Sequence, residues 1–191
     1  MKPVVLDDIL GLATYERVRQ QYRQKIIALK QKRRISVGDR VSLVFENRET
    51  VLFQIQEMLR AERITDVDRI REELVIYNEL IPDSGELSAT LFLEIENQEN
   101  LRQDLLNFLG IDETVSIKIG DHSVRGRFEE GRSREDKISA VQYVKFHFSP
   151  EAIEAFSSGR KVQLVIDHEN YRSTACLNPE SQESLAQDFA N

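Results

Sequence analysis

Apolar residues in the first 85 positions recur mainly every three or four residues, which is the spacing of one face of an α-helix. Helix-capping residues precede three such runs, so we predict helices that begin after Thr14, after Asn47 and after an aspartate at 66 or 68. Between the first two helices, residues 40–45 alternate apolar and polar side chains, which indicates one short strand. The first helical run has its apolar positions at Tyr15, Val18, Tyr22, Ile26 and Leu29.

From residue 86 onward the apolar period shortens to two, the period of a β-strand with one buried face. Gly120-Asp121 separates two alternating runs and His168-Glu169-Asn170 separates two more, so both places predict β-hairpins with antiparallel strands. Two short helices interrupt the strands, one that ends at Gly110 and one that is capped by Ser149. The predicted strands cover residues 87–95, 115–119, 124–128, 138–148, 162–166 and 171–177.

These two periods together predict an α+β fold, in which N-terminal helices pack with a mainly antiparallel C-terminal sheet. The change of period falls near Pro82–Gly85, a cluster of turn residues. We therefore expect a mainly helical segment with one short strand over residues 1–85 and an antiparallel α+β segment over residues 86–178. Residues 179–191 are polar and predict a loose tail. The pattern is compatible with one packed unit or with two domains.

The chain carries a formal net charge of −7, and this charge is distributed unevenly. Residues 1–40 hold ten Lys and Arg against four Asp and Glu, whereas the remainder is strongly acidic. An acidic surface disfavours general nucleic-acid binding, because phosphate contact needs a positive face. The basic run Lys30–Arg34 is a local exception, for which stabilisation of a helix C-terminus is the alternative interpretation.

The composition also predicts a cytoplasmic protein without a membrane span. No apolar run approaches the roughly 20 residues that a bilayer requires, and the first residues lack the basic start and cleavage site of a secretory signal. A single cysteine, Cys176, excludes an internal disulfide and any zinc or iron–sulfur site made of cysteines alone. Its alternating surroundings predict a packed thiol in a strand.

Charged residues follow two of the predicted strands. Arginine side chains bind carboxylates and phosphates through two parallel hydrogen bonds, so converging strand ends would form a site for a small anion or a partner. Exposed amides at the start of the second helix would add to such a site. Two separate solvated loops are the alternative. The predicted site comprises Glu46, Asn47 and Arg48 after one strand, and Glu129, Arg132 and Arg134 after the other.

A metal site is a further hypothesis, because acidic and histidine residues adjoin in two predicted turns. These residues are Asp121 and His122 in one turn, and Asp167 and His168 in the other. Ordinary turn residues are the alternative, and no histidine follows a glutamate by three, as in the carboxylate-bridged sites of helical bundles. No nucleophile motif or phosphate-binding loop is present, so no catalytic residue and no cofactor is predicted.

Five stretches resemble an uncharacterised bacterial family, a domain of unknown function: ALKQKRRI, FENRETVLFQIQEMLRAERI, YNELIPDSGELSATLFLEI, FEEGRSREDKISAVQYVKF and LVIDHENYR. The resemblance spans roughly Pro3 to Leu177. It implies no reaction and no catalytic residues. The family's genes often lie beside those of rubrerythrin-like proteins and heterodisulfide-reductase-like iron–sulfur proteins, which implies a redox or oxidative-stress setting with a redox or iron–sulfur protein as partner.

The residues and the resemblance together predict a non-catalytic accessory or ligand-binding protein that docks a redox partner or binds a small anion. One alternative is a metal-dependent enzyme that uses clustered carboxylates with one or two histidines. The other is nucleic-acid binding through Lys30–Arg34, for which a steep salt dependence of affinity would be the sign.

Overall fold

The structure, a computed structural model of the chain, describes residues 1–95, 100–129, 133–134 and 137–190. These residues form six α-helices, ten strands and two short 3-10 helices. The α-helices are α1 (Leu12–Arg33), α2 (Arg48–Ala61), α3 (Val67–Asn78), α4 (Leu101–Leu106), α5 (Pro150–Ser157) and α6 (Pro179–Phe189). The strands are β1 (Arg34–Ser36), β2 (Val41–Glu46), β3 (Glu86–Leu93), β4 (Val115–Ile119), β5 (His122–Phe128), β6 (Ser133–Arg134), β7 (Lys137–Ile138), β8 (Val141–His147), β9 (Val162–His168) and β10 (Tyr171–Cys176). Within the described ranges, no helix has both the length and the apolar character that a membrane crossing requires.

Eight of these strands form one sheet in the order β1-β2-β3-β8-β5-β4-β9-β10. Every neighbouring pair in this sheet is antiparallel, and β6 and β7 form a separate two-stranded ladder. Both predicted hairpins are present, as β4 with β5 and as β9 with β10. The predicted α+β fold class, with N-terminal helices and an antiparallel sheet, is confirmed.

The helical N-terminal segment and the strand-rich C-terminal segment share this sheet. β2 pairs with β3 along its whole length, and β3 pairs in turn with β8. The sequence predicted one strand before residue 85, whereas the structure has two, because β1 extends the sheet beyond β2. Backbone hydrogen bonds therefore run continuously from the N-terminal segment into the C-terminal segment.

One face of the sheet is buried in the main hydrophobic core. Alternate residues of the central strands point to this face, since side chains along a strand alternate between its two faces. Helices α5 and α6 cover it, and the rings of Phe156 and Phe189 from these helices lie 5.4 Å apart. The strands contribute Phe45, Leu87, Ala89, Val144 and Phe146 to this core.

The opposite face of the central strands is largely polar, and the N-terminal helices cover part of it. Helices α1 and α2 contact β2, and α3 packs against α2. A second apolar cluster joins the helices, with members that include Val51, Ile55, Leu59, Ile70 and Leu74. These helices leave the polar face open beside the end of α3, where a cleft forms.

The loose tail predicted over residues 179–191 is instead the packed helix α6 as far as Phe189. Asn178 caps this helix through its side chain, and Pro179 occupies its first position. Leu185 is completely buried, and the Phe189 ring lies 4.9 Å from that of Phe148. The prediction failed because so few residues of this helix are apolar that no helical stripe stands out from its polar composition.

Other helix starts follow the predicted caps more closely. Asn47, Asp66 and Ser149 each accept a hydrogen bond from a backbone amide in the first turn of α2, α3 and α5 respectively. Helix α1 begins at Leu12, before the predicted cap at Thr14. Local capping chemistry therefore defines these three predicted helix starts.

An ion pair at Glu57 joins α1 to α2. Arg19 donates two hydrogen bonds to the Glu57 carboxylate, with N–O distances of 2.7 and 2.6 Å, and the Tyr15 hydroxyl donates a third at 2.8 Å. The hydrogen bonds from Arg19 hold the pKa of Glu57 below its ordinary value of 4.5. Burial, with the adjacent carboxylate, raises the pKa of Tyr15, so its hydroxyl stays a donor.

We expect Glu57→Gln to lower the free energy of unfolding at neutral pH by about 1 kcal/mol, because it weakens a partly exposed charge-assisted pair. The pKa of Glu57 is lowered in the folded state and returns to about 4.5 on unfolding. The stabilisation is therefore complete above that pH and is lost as the pH falls through the folded-state pKa. Urea unfolding at several pH values measures this difference between wild type and variant.

The control is Glu72→Gln, because Glu72 is an exposed residue of α3 outside this ion pair. We expect this variant to unfold like the wild type at every pH. A difference between Glu57→Gln and wild type that stays constant from neutral pH to well below pH 4.5 would contradict the prediction.

Candidate functional site

A row of four polar residues crosses the polar face of the sheet. Glu46 on β2 lies opposite Ser88 on β3, Ser88 lies opposite Lys145 on β8, and Lys145 lies opposite Arg127 on β5. Residues opposite each other in antiparallel strands point to the same face. The row therefore places a carboxylate, a hydroxyl and two cations side by side, although they come from distant parts of the sequence.

Three residues of this row line a cleft of about 700 Å³ that we call the α3 cleft: Ser88, Lys145 and Arg127. One wall is the polar face of β3, β8 and β5, and the other is the C-terminal half of α3 with the turn that follows it. Tyr77 and Leu80 belong to the helix side, and Tyr143 belongs to the sheet. The cleft thus combines charged, hydroxyl and apolar groups.

Two cations lie directly opposite each other on the sheet side of the α3 cleft. Like charges at opposing positions of a β-ladder are destabilising unless an anion lies between them. Lys145 has acidic neighbours, since its Nζ lies 3.5 Å from Glu86 and 3.9 Å from Asp83. Arg127 forms no ion pair with any residue that the structure describes. The cleft therefore holds one guanidinium whose counter-charge the described chain does not provide.

Ser88 contributes a buried hydroxyl for which the described residues provide no partner. Only 2% of Ser88 is exposed, and it lines the α3 cleft next to Lys145. In the described part of the chain, its hydroxyl has no hydrogen bond, whereas that of the neighbouring Thr90 donates to Glu46 at 2.8 Å. Buried polar groups are nearly always hydrogen-bonded, so an unpartnered one at a cleft floor indicates a position for a bound group.

The helix side of the cleft carries a phenol that remains protonated. Burial raises the pKa of the Tyr77 hydroxyl above its ordinary value. His147 also lines the cleft, where it is largely exposed and its Nδ1 lies 3.8 Å from Glu86. Tyr77, Ser88 and Arg127 thus give the lining of this cleft three side chains with hydrogen-bond donors.

Glu46, the first predicted site residue, is buried between the sheet and the N-terminal helices. Glu46 is 2% exposed and accepts hydrogen bonds from Thr50 at 2.5 Å and from Thr90 at 2.8 Å. Lys30 lies 3.9 Å from its carboxylate. Glu46 thus links α1, α2 and β3 and is not open to a ligand.

Asn47 and Arg48, the next two, lie at the start of α2. The Asn47 side chain caps the helix by accepting a hydrogen bond from the Thr50 amide at 3.0 Å. Arg48 donates to Asp8 at 2.5 Å. Both residues line a second cleft of about 670 Å³, which α6 closes on the other side. The predicted turn therefore borders a cleft, with its arginine already paired.

The two predicted strand ends do not meet. Glu129 follows β5 and its amide bonds to Tyr143 at 3.1 Å, whereas Glu46 ends β2, with β3 and β8 between them. Three strand spacings separate them by about 14 Å. Arg132 lies outside the described residues, and so does the side chain of Arg134, so the predictions for these two arginines remain predictions.

The two histidine turns lie at opposite ends of β4. His122 pairs with Ile119 at one end, and Asp167 bonds to Thr114 at the other, which separates the turns by about 17 Å. Asp121 adjoins the first turn and therefore cannot join Asp167 and His168 in one site. In the described ranges, no group of three or more His, Cys, Asp or Glu residues is arranged to hold a metal ion.

His168 has a structural role. It is 3% exposed and stacks beside Phe108. Its Nε2 lies 2.7 Å from the carbonyl oxygen of Leu109, and its Nδ1 accepts a hydrogen bond from the Asn170 amide at 3.2 Å. Since a neutral imidazole has one donor and one acceptor nitrogen, both of its nitrogens are in use.

The basic run is neutralised within the chain. Each of its four cations contacts a carboxylate: Lys30 with Glu46, Lys32 with Glu180, Arg33 with Asp188 and Arg34 with Glu94. This segment therefore lacks the unpaired positive face that phosphate binding uses. The other predicted buried group, Cys176, is exposed on the edge strand β10, because the outward positions of that strand have no covering element.

Of the predicted site residues that the structure describes, Glu129 lines the α3 cleft, but Ser88, Lys145 and Arg127 were not predicted. A signal for them exists in the sequence, since Glu86, Ser88 and Thr90 alternate with apolar residues along β3, as Tyr143, Lys145 and His147 do along β8. Two central strands that each keep one polar face indicate a solvent-facing site. These residues lie close to Arg127 only because of the strand order β3-β8-β5, and the local periodicity of a sequence does not predict strand order.

Comparison with known proteins gives relatives without an assigned function. No curated protein matches the chain. A crystal structure at 1.90 Å resolution, described as a novel protein of unknown function from Burkholderia pseudomallei K96243, is similar with a TM-score of 0.92 and 33% sequence identity. The match covers 98% of this chain and 100% of that one. The fold is therefore shared along essentially the whole length of both proteins.

The family model extends over the same part of the sequence. It matches residues 3–189, and its description is "Protein of unknown function (DUF3501)". Neither this description nor that of the Burkholderia protein mentions a redox role. The resemblance to an uncharacterised domain family is confirmed, and this chain belongs to the DUF3501 family of proteins of unknown function.

Proposed function

We propose that this protein is a binding protein for a small anionic molecule and that the α3 cleft is its site. The observation that supports this most directly is the pair of cations, Arg127 and Lys145, opposite each other on neighbouring strands. An anion between them would relieve their mutual repulsion and would provide a counter-charge for the guanidinium of Arg127. The hydroxyl of Ser88, which has no partner among the described residues, lies next to them and would donate to the same group.

The size of the cleft supports a small molecule. About 700 Å³ lies within the range of ligand sites for molecules of metabolite size. A bare inorganic anion would fill only a small part of it, so the anionic group belongs to a larger body. Carboxylates and phosphates are the groups that suit a guanidinium fork.

A partner protein is a separate proposal. The sequence resemblance implies a redox or iron–sulfur partner, and no contact in the described structure bears on it. Anion binding needs no partner, because the residues that support it belong to three adjacent strands of one chain. The proposal also assigns no reaction to the cleft, in keeping with an accessory role.

We expect Arg127→Gln to weaken the binding of an anionic probe about tenfold, because it removes one charge-assisted hydrogen bond. Suitable probes are phenylpropionate and phenyl phosphate, with inorganic phosphate to measure the contribution of the anion alone. Isothermal titration calorimetry on the full chain gives the dissociation constants. Lys145→Gln should have a smaller effect, because Lys145 already contacts Glu86 and Asp83.

Arg125→Gln is the matched control. Arg125 lies on the same strand two residues before Arg127 and points to the same face, but it lies outside the cleft and is near Glu113 at 3.9 Å. This variant should bind the probes like the wild type. Equal losses in Arg125→Gln and Arg127→Gln, or no binding of any probe by the wild type, would contradict the proposal.

A further inference from the structure

We infer that the molecule bound in the α3 cleft is a zwitterion, with one anionic group and one ammonium group on an apolar body. This inference rests on the proposed function, since the anionic group lies at Arg127 and Lys145. The new element is the ammonium group, which lies beside the end of α3. Small amino acids and their close derivatives are the chemical class that this describes.

The charged side chains on the helix wall of the cleft are all acidic, whereas the sheet wall holds both lining cations together with Glu86 and Glu129. On the helix wall, Glu73 and Glu79 both line the cleft, and neither forms an ion pair within the part of the chain that the structure describes. Glu79 is the C-cap residue of α3, and the last turn of this helix contains no basic residue. A helix C-terminus carries partial negative charge, so this wall favours a cation.

The charges of the whole lining disfavour a polyanion such as a nucleoside diphosphate. Several carboxylates surround the cleft, and a second negative charge on the ligand would lie close to them. Arg127 and Lys145 lie opposite each other on the sheet wall, so together they form one site for an anionic group. The lining carboxylates are Glu73, Glu79, Asp83, Glu86 and Glu129, against these two permanent cations.

The middle of the cleft is apolar. Tyr77, Leu80 and Ile81 line it from the helix side, and Tyr143 lines it from the sheet. Leu80 and Ile81 are more than nine-tenths buried in the second apolar cluster, which holds this wall in place. A hydrocarbon or aromatic body between the two charged groups would therefore remove apolar surface from water.

Ser88 provides an independent sign of a ligand. No residue in the described ranges bonds to its buried hydroxyl, which lies on the sheet wall beside Lys145 and can both donate and accept. An anionic group that bridges Arg127 and Lys145 would accept its hydrogen bond. The ammonium group of the same molecule would then lie beside the acidic end of α3.

The test uses probes that differ by one charged group. Phenylalanine is compared with phenylpropionate, which lacks the ammonium group, and with phenylethylamine, which lacks the carboxylate. Leucine, isocaproate and isoamylamine form a second set with an aliphatic body. We expect the full chain to bind one amino acid about tenfold more tightly than either of its analogues, since each analogue loses one charge-assisted contact.

Variants separate the two ends of the ligand. Glu73→Gln should abolish the preference for the amino acid over the carboxylate analogue and leave binding of that analogue unchanged. Arg127→Gln should weaken the binding of both. Glu72→Gln is the control, because Glu72 lies on α3 next to Glu73 in sequence but does not line the cleft.

The outcomes distinguish this inference from the proposal on which it rests. If the carboxylate analogues bind as tightly as the amino acids and Arg127→Gln weakens them, anion binding stands and the zwitterion inference is wrong. If only the amines bind, or if no probe of either set binds, both are wrong. Tighter binding of an amino acid that persists in Glu73→Gln would also overturn the inference.

Discussion

Asp188→Ala is expected to lower the free energy of unfolding by about 3–5 kcal/mol, because it leaves the charge of Arg33 buried without a counter-charge. Arg33 is 1% exposed and Asp188 is 3% exposed, and they form a salt bridge with two contacts. The guanidinium also donates to three backbone carbonyl oxygens, those of Phe45 at 2.8 Å, Glu46 at 3.1 Å and Ser184 at 3.1 Å. The guanidinium therefore ties the end of α1 to the end of β2 and to α6.

The control for Asp188→Ala is a substitution in an ion pair at the surface, which joins the same two helices. Lys32 on α1 and Glu180 on α6 form an ion pair at 2.8 Å, with both side chains about half exposed or more. Exposed pairs of this kind contribute little, since water solvates both charges when the pair is broken. Glu180→Ala should therefore change the urea unfolding midpoint far less than Asp188→Ala. Similar midpoints for the two variants would show that the buried pair does not stabilise the fold.

The same contact explains why α6 was not predicted. Residues 179–189 contain few apolar positions, so periodicity alone indicates a polar tail. Two contacts stabilise the helix: the ion pair of Asp188 with Arg33 and the packing of the Phe189 ring against that of Phe148. In both contacts, the partner residue is distant in sequence. Asn178-Pro179 is a local sign of a helix start that the prediction of a loose tail did not include.

Elements whose stability is local were predicted well. Hairpins were predicted from turn residues between alternating runs, and three helix starts were predicted from capping side chains, since both depend on a few neighbouring residues. Glu46 shows the limit of this approach. It stands in a charged turn in the sequence, yet Thr50 and Thr90 bury its carboxylate in the structure, and Thr90 approaches only because β2 pairs with β3.

The α3 cleft depends still more on long-range pairing. Ser88, Arg127 and Lys145 lie on three strands that are separated in the sequence by helices and other strands. Only the order β3-β8-β5 places them side by side. A one-residue change of register would turn the whole set to the opposite face, so a site of this kind follows from the register and not from any motif.

Gly38→Ala is expected to lower the free energy of unfolding by about 3 kcal/mol. Gly38 has a φ of 75°, a left-handed conformation that costs a residue with a Cβ roughly 1 kcal/mol. An added Cβ would also lie 2.3 Å from the Tyr171 hydroxyl oxygen. That hydroxyl donates to the Val37 carbonyl at 2.6 Å and accepts from the Arg40 amide at 3.1 Å, so its displacement loses two hydrogen bonds worth about 1 kcal/mol each.

Gly159→Ala separates backbone strain from the loss of these hydrogen bonds. Gly159 has nearly the same φ, 76°, but no atom lies within 4 Å of the position that its Cβ would take. It should therefore lose only the roughly 1 kcal/mol of left-handed strain. Urea unfolding of both variants gives the difference, which reports the contact of Tyr171 with the turn between β1 and β2. If Gly38→Ala is no less stable than Gly159→Ala, the Tyr171 hydroxyl does not hold that turn, and β10 is joined to the N-terminal part of the sheet by packing alone.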